Sequence, residues 1–388
     1  MRIKEKWLKS SGPLAVFNLL HTAGYQVYFV GGCVRNALLD VPVADIDMAT
    51  DALPEKVIAL AAENNLRAIP TGIEHGTVTF LIDGQTVEVT TFRNDVKTDG
   101  RRAVVRFSTS IEDDARRRDF TMNALYADMD GTIIDPLGGL GDLHARRVRF
   151  IENPTDRIRE DYLRILRFFR FHALYGNPNA GIDADALDAC AQNLDGLATL
   201  SKERVGNEMR KLLAASDPAP ATAAMAQTGV LMHVIVGANH ASLAPLIHLE
   251  HTIDAAPNWM RRLLALGGES IQAALRLSKQ ETQLLKAMKS VMSEAYSARI
   301  AGYKLGEKAG LDAALVLHAH LGTPLPDNLK QELKIGADAK FPIAAVDLAD
   351  QLEGPALGAC LKSLEAAWIK SDLRLSKDAL LKVSHSDD

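Results

Sequence analysis

Cysteine is scarce in this chain: 388 residues hold three, Cys33, Cys190 and Cys360, all far apart. They are too few for a disulfide framework and lack metal-ligand spacing, which excludes a disulfide-stapled module and a zinc ribbon and points to a reducing compartment, the cytoplasm. No apolar run approaches the ~20 residues of a membrane span, and nothing resembling a signal peptide follows Met1-Arg2-Ile3-Lys4-Glu5-Lys6, so no membrane is expected. The eleven histidines are scattered. His75 reads as a turn residue, His144 as a loop residue and His172 as a helix end, which argues against a histidine-aspartate phosphohydrolase centre. A net charge of −5, with 24% charged and 47% hydrophobic residues, is ordinary for a globular protein and excludes a surface coated in positive charge. Lysine is absent between positions 101 and 170, where fourteen arginines face twelve acids. Arginine in place of lysine suits bidentate contacts to phosphates or base edges, although a salt-bridged surface accounts for any single one. The length exceeds one ordinary core and implies about two to four domains; oligomeric state cannot be read from it.

What is present concentrates near residue 30. Val27 to Val30 reads as a buried strand, Gly31-Gly32 as a tight turn, and Val34 to Leu39 as the first turns of a helix whose amides could face a phosphate, with Arg35 as a fixed positive charge. Asp45 and Asp47 follow, one residue apart. On a strand, alternate residues face one side, so these two carboxylates can converge on one place. Magnesium prefers oxygen ligands, usually one or two carboxylates plus substrate phosphates, and two metals about 3.5–4 Å apart activate an attacking oxygen and neutralise a leaving one. Phosphoryl or nucleotidyl transfer is the chemistry this pattern predicts. Taken singly, a Gly-Gly pair is a turn and an Asp-x-Asp pair a solvated loop; their adjacency makes the case.

The first ~140 residues mix strands and helices: a helix over Pro13 to Leu20, another starting near Pro54, and a hairpin joining Thr77–Ile82 to Gln85–Phe92 through the Asp83-Gly84 turn. Glu88 lies inside the second hairpin strand, where a charge needs a partner, and metal is one candidate. Residues 93 to 116 lack apolar periodicity and read as a mobile loop. Arg117-Arg118-Asp119-Phe120-Thr121-Met122-Asn123-Ala124 then leads into a strand pair around Asp130-Gly131. Beyond about residue 155 alanine and leucine dominate and strand signals nearly vanish, so the remainder reads as helical subdomains. The fold class is therefore α+β: a small mixed sheet with helices over the first ~140 residues, followed by all-helical subdomains.

In the helical region, a continuous helix over Arg159 to Arg170 would set Asp161, Arg164, Arg167 and Arg170 on one side and Tyr162, Ile165, Leu166 and Phe169 on the other. Cytosine and adenine each present an amino donor beside a ring-nitrogen acceptor, whereas uracil and guanine reverse that order. An Asp accepting from the amino group and an Arg donating to the ring nitrogen, Asp161 and Arg164 at i and i+3, would admit C and A and reject U and G. A solvated basic helix face is the plainer alternative.

With these residues in view, the chain resembles the class II tRNA nucleotidyltransferases, the CCA-adding enzymes of the tRNA nucleotidyltransferase and poly(A) polymerase family. The likeness runs from about residue 25 to 172 and more weakly to about 213. It rests on Gly31-Gly32-Cys33-Val34-Arg35, Asp45-Ile46-Asp47, Glu88, Arg117-Arg118-Asp119-Phe120-Thr121, and Glu160-Asp161 with Arg164, Arg167 and Arg170. Ser201-Lys202-Glu203-Arg204 and Glu208 resemble the start of the family's tRNA-binding helices. The resemblance implies addition of C, C and A to the 3′ end of tRNA from CTP and ATP, without a nucleic-acid template and with pyrophosphate release. It implies a catalytic head over 1–150, a helical neck over 151–213 and an all-α body and tail over 214–388 that bind tRNA, with Mg2+ at Asp45 and Asp47 and Glu88 as the third catalytic carboxylate. It further implies triphosphate contacts from Gly32 and Arg35, ribose contacts from Arg118 and Asp119, and support of phosphates or template geometry by Arg167 and Arg170. One departure is visible: the family often carries Asp after the motif arginine, and this chain has Asn36, which keeps an acceptor at the same reach.

A bacterial poly(A) polymerase would share the head motifs but often adds a basic C-terminal extension, whereas this chain ends Ser384-His385-Ser386-Asp387-Asp388. Enzymes adding only CC or only A are a further alternative, and the long polar segment from Asn94 to Ala115 favours full CCA addition. A nonenzymatic RNA-binding descendant would be expected to have lost a carboxylate among Asp45, Asp47 and Glu88, and all three remain.

Overall fold

The computed structural model describes residues 1–99, 102–349 and 352–384. The chain divides into two compact units, one of Met1–Leu212 with Pro220–Val234, the other of Leu213–Ala219 with Ile235–Asp388.

The first unit is built on a seven-stranded mixed sheet: β1 (Val27–Val30), β2 (Ile46–Thr50), β3 (Arg67–Gly72), β4 (Thr77–Ile82), β5 (Gln85–Thr91), β8 (Tyr126–Ala127) and β9 (Ile133–Ile134), in the order β3-β4-β5-β2-β1-β8-β9. Only β2 and β5 run parallel, and their register sets Asp47 opposite Glu88. Asp83 (φ 51°) and Gly84 (φ 75°) both take positive φ, the tight β4–β5 turn that the Asp-Gly pair predicts. Helices α1 (Ser11–Thr22) and α2 (Gly32–Leu38) flank β1, and α3 (Pro54–Glu63) begins with its proline in the first turn, where the missing N–H costs nothing. Phe29, Met48, Phe80, Val87 and Val89 are buried, so the strands carrying the candidate carboxylates are anchored by their alternate residues.

Residues 93 to 116 are not an open loop. They form a two-stranded antiparallel arm, β6 (Arg93–Asp99) and β7 (Arg102–Phe107), followed by α4 (Ile111–Arg116), which Ser110 caps by accepting the Asp113 N–H. Backbone pairing needs no apolar stripe, so a polar hairpin escapes a periodicity reading. The arm is rooted through Arg93, which donates to the His75 carbonyl, and through Phe107, which packs against Gly76.

Helix α5 (Gly139–His144) leads to the neck elements α6 (Pro154–Glu160), α7 (Leu163–Tyr175), α8 (Ala184–Gln192) and α9 (Lys202–Leu213). The expected continuous helix over 159–170 is interrupted. Asp161 is extended (φ −151°, ψ 106°), and its carboxylate accepts the Leu163 N–H at 3.1 Å, local bonding that competes with the helical ladder.

The regular elements among the second unit's described residues are all helices. Glu250, Arg261, Arg262 and Asp312 form a buried ionic cluster in which Arg262 also donates to the carbonyls of Leu213, Ala215 and Ser216. Helices Ala298–Leu321 and Leu329–Asp338 cross backbone to backbone at Gly302 and Gly336.

Candidate active site

The glycine turn is the pivot of the site. Gly31 adopts φ 70° and ψ −115°, and a Cβ there would lie 3.2 Å from Nη1 of Arg118, so glycine provides both the backbone conformation and the room for the arginine. Gly32 opens α2. The buried Cys33 thiol donates to the Val30 carbonyl at 3.4 Å and lies 3.7 Å from that of Asp47, joining α2 to β2 from behind.

Asp47 is half-buried on β2, level with Glu88 on β5. Asp45 lies one residue ahead of β2, exposed, so of the two aspartates only Asp47 falls within the strand itself. Charge relates the three nonetheless: burial, then Glu88, then Asp45 push the Asp47 carboxyl up to about 6, against the pull of Arg118. Mutual repulsion of this kind is what a cation relieves, and the donors are all hard oxygens, which fits a divalent ion of the magnesium class. Among the described residues no three acidic, histidine or cysteine side chains already form a closed cage. An ion sharing its shell with substrate phosphates needs no such cage.

Arg118 is held by Asp114, which accepts from its Nη2 at 2.9 Å and from its Nε at 3.2 Å, and by the Tyr126 hydroxyl at 3.2 Å. Burial alone would raise the Asp114 carboxyl, but the guanidinium groups of Arg118 and Arg117 hold it far below the usual range. Asp119 is similarly held down by Arg167, whose Nε and Nη2 donate to it at 2.8 and 2.5 Å, and by the Asn123 amide at 2.8 Å.

Arg35 is placed differently from the expectation of a charge presented to the triphosphate. It is buried, donating to the side chains of Asn123 and Asn36 and, at 2.8 Å, to the Tyr175 hydroxyl, with its guanidinium carbon 4.1 Å from the Tyr175 ring centre. Asn36 Oδ1 accepts from both Nε and Nη2 of Arg35, and its Nδ2 donates to the Pro42 carbonyl at 3.0 Å. The amide thus keeps the arginine contact and adds a hold on the loop before Asp45.

The side chains of Asp161 and Arg164 are not paired with each other, although the Arg164 N–H donates to the Asp161 carbonyl at 2.9 Å. Asp161 Oδ2 accepts from Arg204 at 2.6 Å. Arg164 donates to Glu160 at 2.5 Å and to the carbonyls of Arg157 and Arg117. Arg170 is buried against Glu208 at 2.5 Å, and Arg167 reaches the same carboxylate at 3.9 Å. Asn123, Tyr175, Arg204 and Glu208 are the partners that sequence reasoning did not assign to this site. Asn123 stood within the arginine motif, whereas Tyr175 and the two α9 residues meet their partners only through long-range packing.

Comparison with known proteins shows the family of the chain. Residues 27–149 match the poly A polymerase head domain and residues 181–240 a probable RNA and SrmB-binding site of polymerase A. The mitochondrial CCA tRNA nucleotidyltransferase 1 of Mus musculus is 31% identical over 96% of this chain and 90% of its own. The CCA-adding enzyme of Streptococcus gordonii is 32% identical over 98% of both. Among solved structures, the Bacillus stearothermophilus CCA-adding enzyme in complex with CTP superposes with a TM-score of 0.73 at 28% identity, covering 99% of this chain and 98% of that one. Full-length similarity of this kind, on top of a sheet that aligns Asp47 with Glu88 beside a glycine turn, makes the chain a member of the class II CCA-adding branch of the tRNA nucleotidyltransferase and poly(A) polymerase family.

Proposed function

We propose how the residues of this site divide the family's reaction. The chain is a CCA tRNA nucleotidyltransferase, adding C, C and A to the 3′ end of tRNA from CTP and ATP without a nucleic-acid template. In each cycle the terminal hydroxyl oxygen of the tRNA forms a bond to the α-phosphorus of the nucleotide, the bond to the β-phosphate oxygen breaks, and pyrophosphate leaves.

The register of Asp47 with Glu88, beside a glycine turn faced by Arg118, carries this assignment. Asp45 and Asp47 are the metal-holding carboxylates, with Glu88 completing the acidic edge. Mg2+ bound there supplies neutralisation of phosphate charge and a lower pKa for the attacking hydroxyl. Gly32 and the Gly31 turn leave room for the triphosphate, and Arg118, aimed by Asp114 and Tyr126, supplies positive charge beside it. Arg35 acts from behind, fixing the turn against Asn123 and Tyr175. Asp119 lies near the ribose, oriented by Arg167 and Asn123. Asp161 and Arg164 read the base, Arg164 exchanging a bond to Glu160 or a carbonyl for the ring nitrogen, while Arg167 and Arg170 brace their helix.

In functional terms residues 1–150 form the catalytic head, 151–213 the nucleotide-selecting neck, and 214–388 the body and tail that hold tRNA. Among the described residues no helix is long and apolar enough to cross a membrane. With its three free thiols the chain suits a reducing compartment, the cytoplasm. The test is to supply tRNA transcripts ending before CCA, after C and after CC with each nucleotide singly. Two CTP additions followed by one ATP addition are expected. Repeated adenylation would indicate a poly(A) polymerase, and a halt after CC or inertness before it would indicate a partial enzyme.

A further inference from the structure

Asp161 lies on neither α6 nor α7 but in the break between them, outside both helical ladders. The main chain there is seated by Tyr162, whose ring lies so close over Gly196 that a Cβ would fall 1.9 Å from it, and by Arg159, which donates to Asn193 at 3.2 Å. Neither contact touches the Asp161 carboxylate. Among the described residues, the one side-chain hydrogen bond to that carboxylate comes from Arg204, in the first turn of α9, at 2.6 Å. One turn further along α9, Glu208 takes Arg170 at 2.5 Å and Arg167 at 3.9 Å. The helix thus meets the base-reading segment with charges of matching order, positive to its acid and negative to its arginines.

We infer that Arg204 is a positioning residue for nucleotide selection: it holds the Asp161 carboxylate so that its unused lone pairs face the exocyclic amino group of cytosine or adenine. An ionised carboxylate has about four acceptor sites, and Arg204 with the Leu163 N–H takes two, leaving two for a base. A carboxylate offers only acceptors, so the O4 carbonyl of uracil, standing where cytosine carries its amino group, meets like with like. The first turns of α9, which by resemblance begin the tRNA-binding helices, in this assignment serve the nucleotide. Arg204 and Asp161 are each about 30% exposed, open enough for a base to approach and for Arg204 to be replaced without emptying the core. The inference rests on Asp161 as the base-reading acid.

The experiment compares Arg204→Met, Arg204→Lys and Asp161→Ala in the full chain. It reads kcat/KM for CTP, ATP, UTP and GTP on tRNA transcripts ending before CCA and after CC, together with tRNA affinity in the absence of nucleotide. The expected result for Arg204→Met is a loss of about tenfold or more in the preference for CTP over UTP, carried by KM more than by kcat, with tRNA affinity within about threefold of wild type. Arg204→Lys recovers part of the preference. An unchanged preference in Arg204→Met, where Asp161→Ala has lost it, overturns the role of Arg204. Weakened tRNA binding with unchanged preference overturns it too and assigns the arginine to the RNA. An unchanged preference in Asp161→Ala places base selection elsewhere and is a failure of the underlying reading, separable from the other two.

Discussion

At the scale of single residues, the candidate site is a set of charges whose partners fix what each can do. Replacing Asp45 or Asp47 with Ala is expected to lower nucleotide addition by on the order of 10³-fold or more, as removal of a metal clamp does, with tRNA binding retained. Near-native turnover by Asp45→Ala would refute the assignment. Asn36 offers a graded test. Asn36→Asp keeps the acceptor for Arg35 and loses the donor to Pro42, while Asn36→Leu loses both, so single-turnover rates should fall in the order wild type, Asp, Leu; an equal loss in both variants would mean that the Arg35 contact is idle. Asp114 sets an acid limit on the head. Its folded pKa lies below the unfolded value of about 3.9, so its contribution is complete above that value and is lost as pH falls from about 4 toward the folded pKa. The thermal midpoint of Asp114→Asn should therefore trail wild type at pH 7 and converge on it as the pH falls below 4. The glycine turn and the strand placement of Asp47 and Glu88 were legible because turn and strand signals are written in contiguous residues. The bond from Arg204 to Asp161 was not, because 43 residues separate the partners.

Elements reveal where periodicity misleads. A wheel over residues 159–170 assumes unbroken helix, and the aspartate chosen for its place on that wheel is the residue that breaks it, by accepting a backbone N–H two positions ahead. A polar hairpin was invisible for the opposite reason, since strand pairing is a backbone property that needs no apolar face. Where strand and turn signals coincided, as at Asp83-Gly84, both the element and its register followed. Glycine governs the second unit at the element scale. At Gly336 a Cβ would lie 1.8 Å from the Arg299 carbonyl oxygen, and at Gly302 one would lie 2.1 Å from that of Leu333. Backbone on both sides of the contact cannot yield as a side-chain tip would. Gly336→Ala should destabilise this unit by about 3 kcal/mol, at the upper end of overpacking costs, and lower its melting temperature by several degrees; an unchanged melting curve would show that the helices can separate at no cost.

Across the whole molecule, two units with different chemistry share one chain, and the sequence marked the change near residue 155 by composition without marking where the first unit ends. Return of Pro220–Val234 to that unit is a packing event with no local motif. The division yields a test of the assigned labour. Acceptor-stem RNA is recognised largely through phosphates, 2′-hydroxyls and shape, so the affinity of the full chain for tRNA should fall as salt rises while varying little with stem sequence. A chain ending at Val234 keeps Asp45, Asp47, Glu88, Arg118, Asp161, Arg204 and Glu208 together with every residue of the first unit, and lacks the helices beyond. It should bind CTP with near-native affinity, measured by calorimetry, because all the groups assigned to the nucleotide are present. Its affinity for tRNA should drop by about tenfold or more, with a flatter dependence of log K on log salt, because each lost phosphate contact removes a released counterion. Extension of full-length tRNA by this shortened chain as efficiently as by the intact one would place the RNA grip within the first 234 residues and leave the helical second unit without its assigned role.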